Sequence, residues 1–330
     1  MVLIENGPKG SSPANTNLNK ARKAKNDEFY TLYEDIEAEV MKYKEQFRDK
    51  VVYMPCDAPA EKKSEFWSFF VANFESFGLK KLIATHYEEN GQAYKIWIDR
   101  DNDLNGDGDA MQEDLMGNGD FRSQECIEIF KECDIVCTNP PFSLFREFID
   151  TIITYNKQCL IIGNKNAVIG KEVFPLIKDN KLWMGYTQPK EFRLEDGSIT
   201  KKINGLTRWF TNLAVNKSNE ELVLTKTYNT IDYPKYDNYD AIEVGKVVNI
   251  PKDYYGVMGV PITFLDKYNP EQFEIIGEFN RYKECDLEKG LICGDMTEYI
   301  EPKTHAINTW RGPTINKKKK YTRILIRRKK

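Results

Sequence analysis

The chain has 330 residues, 41% apolar and 30% charged, and a net charge of −3. That is the profile of a globular protein with room for one α/β domain and a smaller partner. It has no run of about 18 apolar residues and no apolar N-terminal stretch, so neither a membrane span nor a signal peptide is expected, and the expected compartment is the cytoplasm. Only His86 and His305 are histidines, which argues against histidine triads and His-rich metal sites; the seven cysteines form no CxxC pair and read as reduced core residues, neither ligands nor disulfides.

Residues 1–19 are rich in Gly, Pro, Ser and Asn and read as a disordered arm, followed by the basic Lys20, Arg22, Lys23 and Lys25. Ile36, Val40, Tyr43 and Phe47 share one face of a helix predicted over about 33–47. Strand Val51–Met54 comes next, then a Phe-rich helix from Ser64 to Phe77 stopped by Gly78. After strand Leu82–Tyr87 the chain turns acidic, with Asp99, Asp101, Asp103, Asp107, Asp109, Glu113, Asp114 and Asp120 against Arg100. Within it, Asp103, Asn105, Asp107-Gly108 and Asp114 have the spacing of an EF-hand loop with Asp in place of the closing Glu, but no clear helices flank it. A solvated turn is the preferred reading, and no metal is expected.

A helix from about Ser123 to Glu132 precedes the apolar strand 134–138, which ends in Asn139-Pro140-Pro141-Phe142. An amphipathic helix burying Leu144, Phe145, Phe148, Ile149, Ile152 and Ile153 follows, then strand Cys159–Ile162. Short apolar strands alternating with helices predict a parallel sheet covered on both faces, with ligands outside the carboxyl ends of the strands. Those ends carry Cys56-Asp57, Tyr87-Glu88-Glu89, Asp120-Phe121, Asn139 and Asn164.

The Asn-Pro-Pro-Phe loop suits modification of an amino group on a flat ring. Asn139 and the Pro140 carbonyl supply two acceptors, Pro141 has no N–H to compete for them, and Phe142 offers a face for stacking. A plain proline-rich turn is the alternative. No phosphate-binding glycine loop is present. Acidic and aromatic loop ends suit a cosubstrate with a ribose diol, an adenine amino group and a cation, as in S-adenosylmethionine. Glu88 or Glu89 would take the ribose hydroxyls, Asp120 the adenine N6, and Phe121 the ring.

The C-terminal third is rich in Tyr, Asn, Asp and Lys, and Lys235, Tyr236, Asn238 and Tyr239 are candidate DNA contacts. From Lys317 onwards the chain carries Lys317 to Lys320, Arg323, Arg327, Arg328, Lys329 and Lys330 with no acid. Residues 321–326 alternate like a strand, which would hold these charges on one surface to neutralise phosphates; solvated tails are the alternative.

Several segments together resemble the EcoRI-type adenine-specific DNA methyltransferase family. They are Asp27-Glu28-Phe29-Tyr30-Thr31, Val51-Val52-Tyr53 with Cys56-Asp57-Ala58-Pro59, Gly119-Asp120-Phe121-Arg122-Ser123, Thr138 to Phe145, Lys235 to Ile242, Gly256 to Phe264 and Arg323 to Ile326. The similarity runs from about residue 18 to the C-terminus. It implies a Rossmann-like α/β methyltransferase sheet with helices on both faces and methyl transfer from S-adenosylmethionine to adenine N6 in duplex DNA. It also implies a monomer, with a cognate restriction endonuclease acting separately. By the same resemblance Phe29, Tyr30 and Thr31 hold the methionine end of the cosubstrate, and Asp57 and Asp120 are its loop acids. Ala58 stands where the family more usually has an acid. The expected division is a basic arm over 1–26, a catalytic domain over 27–215 and a target-recognition region over 216–330. Cytosine N4, an RNA base amine, or a non-catalytic DNA-binding relic of the fold remain as alternatives.

Overall fold

The computed structural model describes residues 29–59, 65–101, 110–194, 196–201, 205–216, 220–282 and 284–330. Helix α1 (Tyr33–Val40) runs on into a 3-10 turn, Met41–Phe47, and Ile36, Val40, Tyr43 and Phe47 are all buried as their spacing predicts. The Phe-rich stretch is not one helix. It breaks at Asn73 into α2 (Glu65–Ala72) and α3 (Phe74–Phe77), and Gly78 closes it with φ +61°. Helices α4 (Gln124–Glu132) and α5 (Phe145–Thr154) lie as expected, with the Ser123 hydroxyl accepting from Cys126 N at 3.2 Å to cap α4.

Eight strands form the main sheet: β1 (Val51–Met54), β2 (Lys81–His86), β3 (Tyr94–Asp99), β4 (Met111–Asp114), β5 (Ile135–Thr138), β6 (Gln158–Asn164), β7 (Trp183–Met184) and β8 (Thr207–Thr211). Their spatial order is β4-β3-β2-β1-β5-β6-β8-β7. Only the centre, β2-β1-β5-β6, is parallel; both edges are antiparallel. The sheet is therefore mixed, and part of the acidic stretch, β4, is its edge strand. Edge strands tolerate charge because it discourages pairing with another chain. From β1 the chain moves outward to β2 and then returns to the other side of β1 for β5. The crevice outside the ends of β1 and β5 is thus the topological switch point, where open α/β sheets bind ligands.

A second sheet contains β9 (Ile242–Glu243), β10 (Met258–Val260), β11 (Phe273–Phe279), β12 (Leu291–Ile292) and β13 (Arg323–Arg328), in the order β9-β10-β13-β11-β12. The basic C-terminal strand is its centre. Ile324, Leu325 and Ile326 are all fully buried, so β13 is not the half-exposed, alternating strand expected. Arg323 turns inward and pairs with the buried Glu243 at 2.5 Å. One apolar cluster joins the two sheets, with Phe145, Ile161 and Phe210 on one side and Met258, Phe273 and Ile326 on the other. Arg208 adds a two-pronged contact with Asp266 at 3.1 and 3.3 Å.

The cysteine expectation is corrected at one pair. Cys285 and Cys293 are bonded as a disulfide; the other five are thiols, with only Cys56 exposed. Absence of CxxC spacing does not exclude a bridge across a tight turn, and here the bridge Asp286–Leu291 brings the two sulfurs together. Among the described residues, no helix is long and apolar enough to cross a membrane.

Candidate active site

The switch point is built from short polar connections between buried strand ends. After β1 the chain turns through Pro55 and Cys56, and Asp57 N donates to Met54 O at 3.3 Å. Pro in second place followed by a left-handed residue is the pattern of a type II turn. Cys56, at φ +63°, occupies the position that favours glycine. The Asp57 carboxylate is buried and accepts from the Thr138 hydroxyl, the last residue of β5, at 2.5 Å. Cys56 N donates to Thr85 Oγ1 at 3.3 Å, which ties the same turn to β2. Thr85 and Thr138 were not singled out from the sequence. Their signal was a polar residue closing an otherwise apolar strand, where burial demands a hydrogen-bond partner.

Gly119 brings in the next loop. Its φ is +75°, and a Cβ there would lie 2.2 Å from His86 O, so only glycine allows this close approach to the end of β2. Glu88 N donates to Asn118 O at 3.0 Å, setting Tyr87 and Glu88 beside Asp120. Glu88 Oε2 is 3.7 Å from His86 Nε2. The Asp120 carboxylate is gripped by Arg122, with Nε at 2.8 Å and Nη2 at 2.5 Å. The Arg122 side-chain hydrogen bonds hold the Asp120 carboxyl below the usual carboxylate range. Phe121 is a correction. Its ring is buried edge-on against Phe148, with centroids 5.0 Å apart, and the Arg122 guanidinium lies 5.5 Å from its centroid. It anchors the loop in the core and offers no face to a cosubstrate.

The Asn-Pro-Pro-Phe loop meets the Phe29-Tyr30-Thr31 segment directly. Tyr30–Thr31 pairs antiparallel with Phe192–Arg193 in a small three-stranded sheet, which fixes it beside β5. Asn139 Nδ2 donates to Phe29 O and to Thr31 Oγ1, the latter at 3.2 Å. A carbonyl can only accept, so the Phe29 contact fixes which end of the amide is nitrogen. Asn139 Oδ1 is then buried with no hydrogen-bond partner among the described residues. Pro141 O accepts from Leu144 N at 2.9 Å, starting the turn into α5, while the Pro140 carbonyl has no protein donor among the described residues. Phe142 and Phe29 stack at 5.8 Å and 20°. Two acceptors without donors therefore sit beside a pair of stacked rings.

The expected DNA contacts fare unevenly. Lys20, Arg22, Lys23 and Lys25 lie outside the described residues. Lys235 is exposed and pairs with Asp240 at 3.0 Å. Tyr236 and Asn238 are buried and cannot reach a base, which corrects both. The Tyr236 hydroxyl donates to Glu243, and Asn238 Nδ2 donates to Gly312 O at 2.9 Å and Asp295 O at 3.2 Å. Tyr239 is half-buried against Phe279, with centroids 5.1 Å apart. Of the EF-hand-like loop, Asp103, Asn105 and Asp107 lie outside the described residues, Asp114 ends β4, and no cluster able to hold a metal occurs among the described residues.

The family model described as adenine-specific methyltransferase EcoRI matches residues 17–329. The Type II methyltransferase M.EcoRI of Escherichia coli is 46% identical over 299 residues, covering 82% of this chain and 91% of its own. The Type II methyltransferases M.MgeORF184P of Mycoplasma genitalium and M.MpnI of Mycoplasma pneumoniae are 40% and 39% identical, each covering 94% of this chain and 98% of its own. No solved structure matches.

Proposed function

The chain belongs to the EcoRI family of adenine-specific DNA methyltransferases, and from that premise we propose how its residues carry out the transfer. It is the modification enzyme of a Type II restriction-modification system, and the methyl donor is S-adenosylmethionine. Its sulfonium supplies an already electrophilic methyl group, so the protein's task is mainly to align nucleophile and methyl carbon. Adenine N6 is out of reach in a stacked duplex, so the base is turned out of the helix.

One observation supports the site most directly. Asn139 Oδ1 is buried and unpartnered while its amide nitrogen is tied down on both hydrogens. An orphaned buried acceptor costs about 1–3 kcal/mol, and an exocyclic amine would relieve it. With the Pro140 carbonyl as second acceptor, both N–H bonds of N6 are drawn away from the ring plane. That frees the nitrogen lone pair and stabilises the positive charge that develops during transfer, by the same preorganised electrostatics as an oxyanion hole with the sign reversed. No strong base is required: as the N6–methyl bond forms the methyl–sulfur bond breaks, the neutral thioether leaves, and the acidic N6 cation then gives up its proton to solvent.

The Phe29–Phe142 stack occupies the place of a planar ring. A purine entering between them replaces one aromatic contact with another, worth about 1–3 kcal/mol per base. Phe29, Tyr30 and Thr31 carry the methionine end of the cosubstrate. Glu88 or Glu89 would accept from its ribose hydroxyls and Asp120 from its adenine amino group, with Asp57 and Tyr87 completing the wall. The protein works as a monomer on duplex DNA, with its cognate endonuclease separate.

The test is transfer of labelled methyl from S-adenosylmethionine to unmethylated DNA, followed by nucleoside mass analysis. N6-methyldeoxyadenosine is the expected product. Label appearing as N4-methyldeoxycytidine, or only in RNA, would overturn the adenine assignment.

A further inference from the structure

With Tyr236 and Asn238 buried, an exposed element beyond that segment is needed to read the bases of the DNA target. After Gly294 the chain builds a two-stranded ribbon. Thr297–Ile300 pairs antiparallel with Ile307–Trp310, joined by residues 301–306. One face carries Tyr299 and Trp310 and is covered: the Lys319 ammonium lies 3.7 Å from the Tyr299 ring centroid and 4.2 Å from that of Trp310. The other face is formed by the cross-strand pairs Glu298–Thr309 and Ile300–Ile307. It is bare, with Ile300 43% and Ile307 66% exposed.

The ribbon is firmly mounted. A second hairpin, Thr314–Ile315 with Lys318–Lys319, stands behind it, and Ile300 N donates to Lys317 O at 3.0 Å to join the two. The second hairpin turns through Asn316 and Lys317, both at positive φ, and both N–H groups are held by the Asp237 carboxylate at 3.0 and 2.9 Å. Lys317 and Lys319 are offset by Glu298 and Glu301. Lys303 at the ribbon tip, and Lys318 and Lys320 on the second hairpin, make no ion pair among the described residues.

We propose that the ribbon 297–310 is the target-reading element and enters the major groove with its bare face, while Lys318 and Lys320 hold flanking phosphates. This rests on the reading of the chain as a DNA methyltransferase. Charge complementarity names the occupant, because Lys303 at the ribbon tip and Lys318 and Lys320 on the adjoining hairpin are cations without an ion pair among the described residues. Shape agrees: a major groove about 12 Å wide admits a two-stranded ribbon. So does chemistry. The Ile300–Ile307 pair suits thymine methyl groups, and the Thr309 hydroxyl suits a base edge.

The test uses the full chain and the target mapped by sequencing DNA methylated by the wild type. Ile307→Ala and Thr309→Ala are expected to lower the kcat/KM ratio between the target and single-base variants about tenfold or more at one or two positions. The Lys318→Ala/Lys320→Ala double variant should weaken binding to all sequences alike and reduce the salt slope by about 0.9 per lysine, with discrimination unchanged. Ribbon variants that discriminate like the wild type at every base, or a double variant with an unchanged salt slope, would overturn the proposal. If a ribbon variant also loses S-adenosylmethionine binding, it has misfolded. The wild type then decides, on targets with uracil for thymine: weakened methylation supports the ribbon in the major groove and unchanged methylation refutes it. A wild type that methylates no DNA defeats the proposed function instead.

Discussion

Asn139 and Asn238 make the same arrangement in two regions of the molecule. Each spends its amide nitrogen on a backbone carbonyl far away in sequence, and each leaves a buried Oδ1 without a partner. Around Asn238 there is no room. A Cβ on Gly294 would lie 2.5 Å from its carbonyl and 2.6 Å from its Nδ2, so the neighbouring backbone is packed directly on it. Asn139 lies at the switch point of the sheet beside two half-buried rings. An orphaned acceptor marks a site only where its neighbours can part. In the second sheet the same chemistry serves to lock loops together.

Substitutions should separate the two roles. Asn139→Ala is expected to reduce kcat about 100–1,000-fold, with DNA affinity kept and stability changed by no more than about 1.5 kcal/mol. A variant retaining more than a few per cent of the wild-type rate would remove Asn139 from catalysis. Asn238→Ala should do the reverse. It removes the side-chain donor to the Asp295 carbonyl and leaves the Gly312 carbonyl only the Thr314 hydroxyl, and should cost about 1–2 kcal/mol in denaturant unfolding, with turnover per folded molecule unchanged. Tyr236→Phe sharpens the point at smaller scale. Burial and the Glu243 carboxylate push the Tyr236 phenol well above its ordinary range, so it remains a hydrogen-bond donor. Losing that one bond should cost about 1 kcal/mol and no activity. The mildest effect concerns Asp120. Its folded pKa is lowered by Arg122, so its contribution to stability is complete above the unfolded value of about 3.9 and fades as pH falls through the lower folded value. Asp120→Asn should flatten the acid limb of the stability–pH curve; an unaltered limb would show that the ion pair contributes nothing there.

How much of this the sequence revealed depended on whether the chemistry was local. The Asn139 loop was legible because its two acceptors, its proline and its ring are consecutive. The parallel centre of the sheet was legible because strands buried on both faces are continuous apolar runs. The edges were less so. Met111–Asp114 is a strand with three exposed polar residues and no apolar pattern, paired only because β3 lies beside it. Tyr94–Asp99 did carry a signal, in Ile96, Trp97 and Ile98, that the following acids obscured. Tyr236 and Asn238 misled because a string of Lys, Tyr, Asp and Asn has the composition of a surface loop. Asn238 is covered by Gly312 and Asp295, 74 and 57 residues further along, and Tyr236 is buried edge-on against Phe279. No local pattern encodes a lid supplied from that distance.

The position of β13 has a consequence for synthesis. Residues 323–328 are remote in sequence from β9 and β10, yet they lie in the middle of the second sheet, with β10 on one side and β11 on the other. While a ribosome is still short of Arg323, β10 and β11 face each other across a gap one strand wide. The catalytic sheet, whose strands end at Thr211, can already be assembled by then. A chain arrested before residue 323 would therefore carry a complete first sheet beside an unfinished second one, and if the second sheet holds the target-reading ribbon proposed above, target-directed modification should begin only after that last strand is laid in.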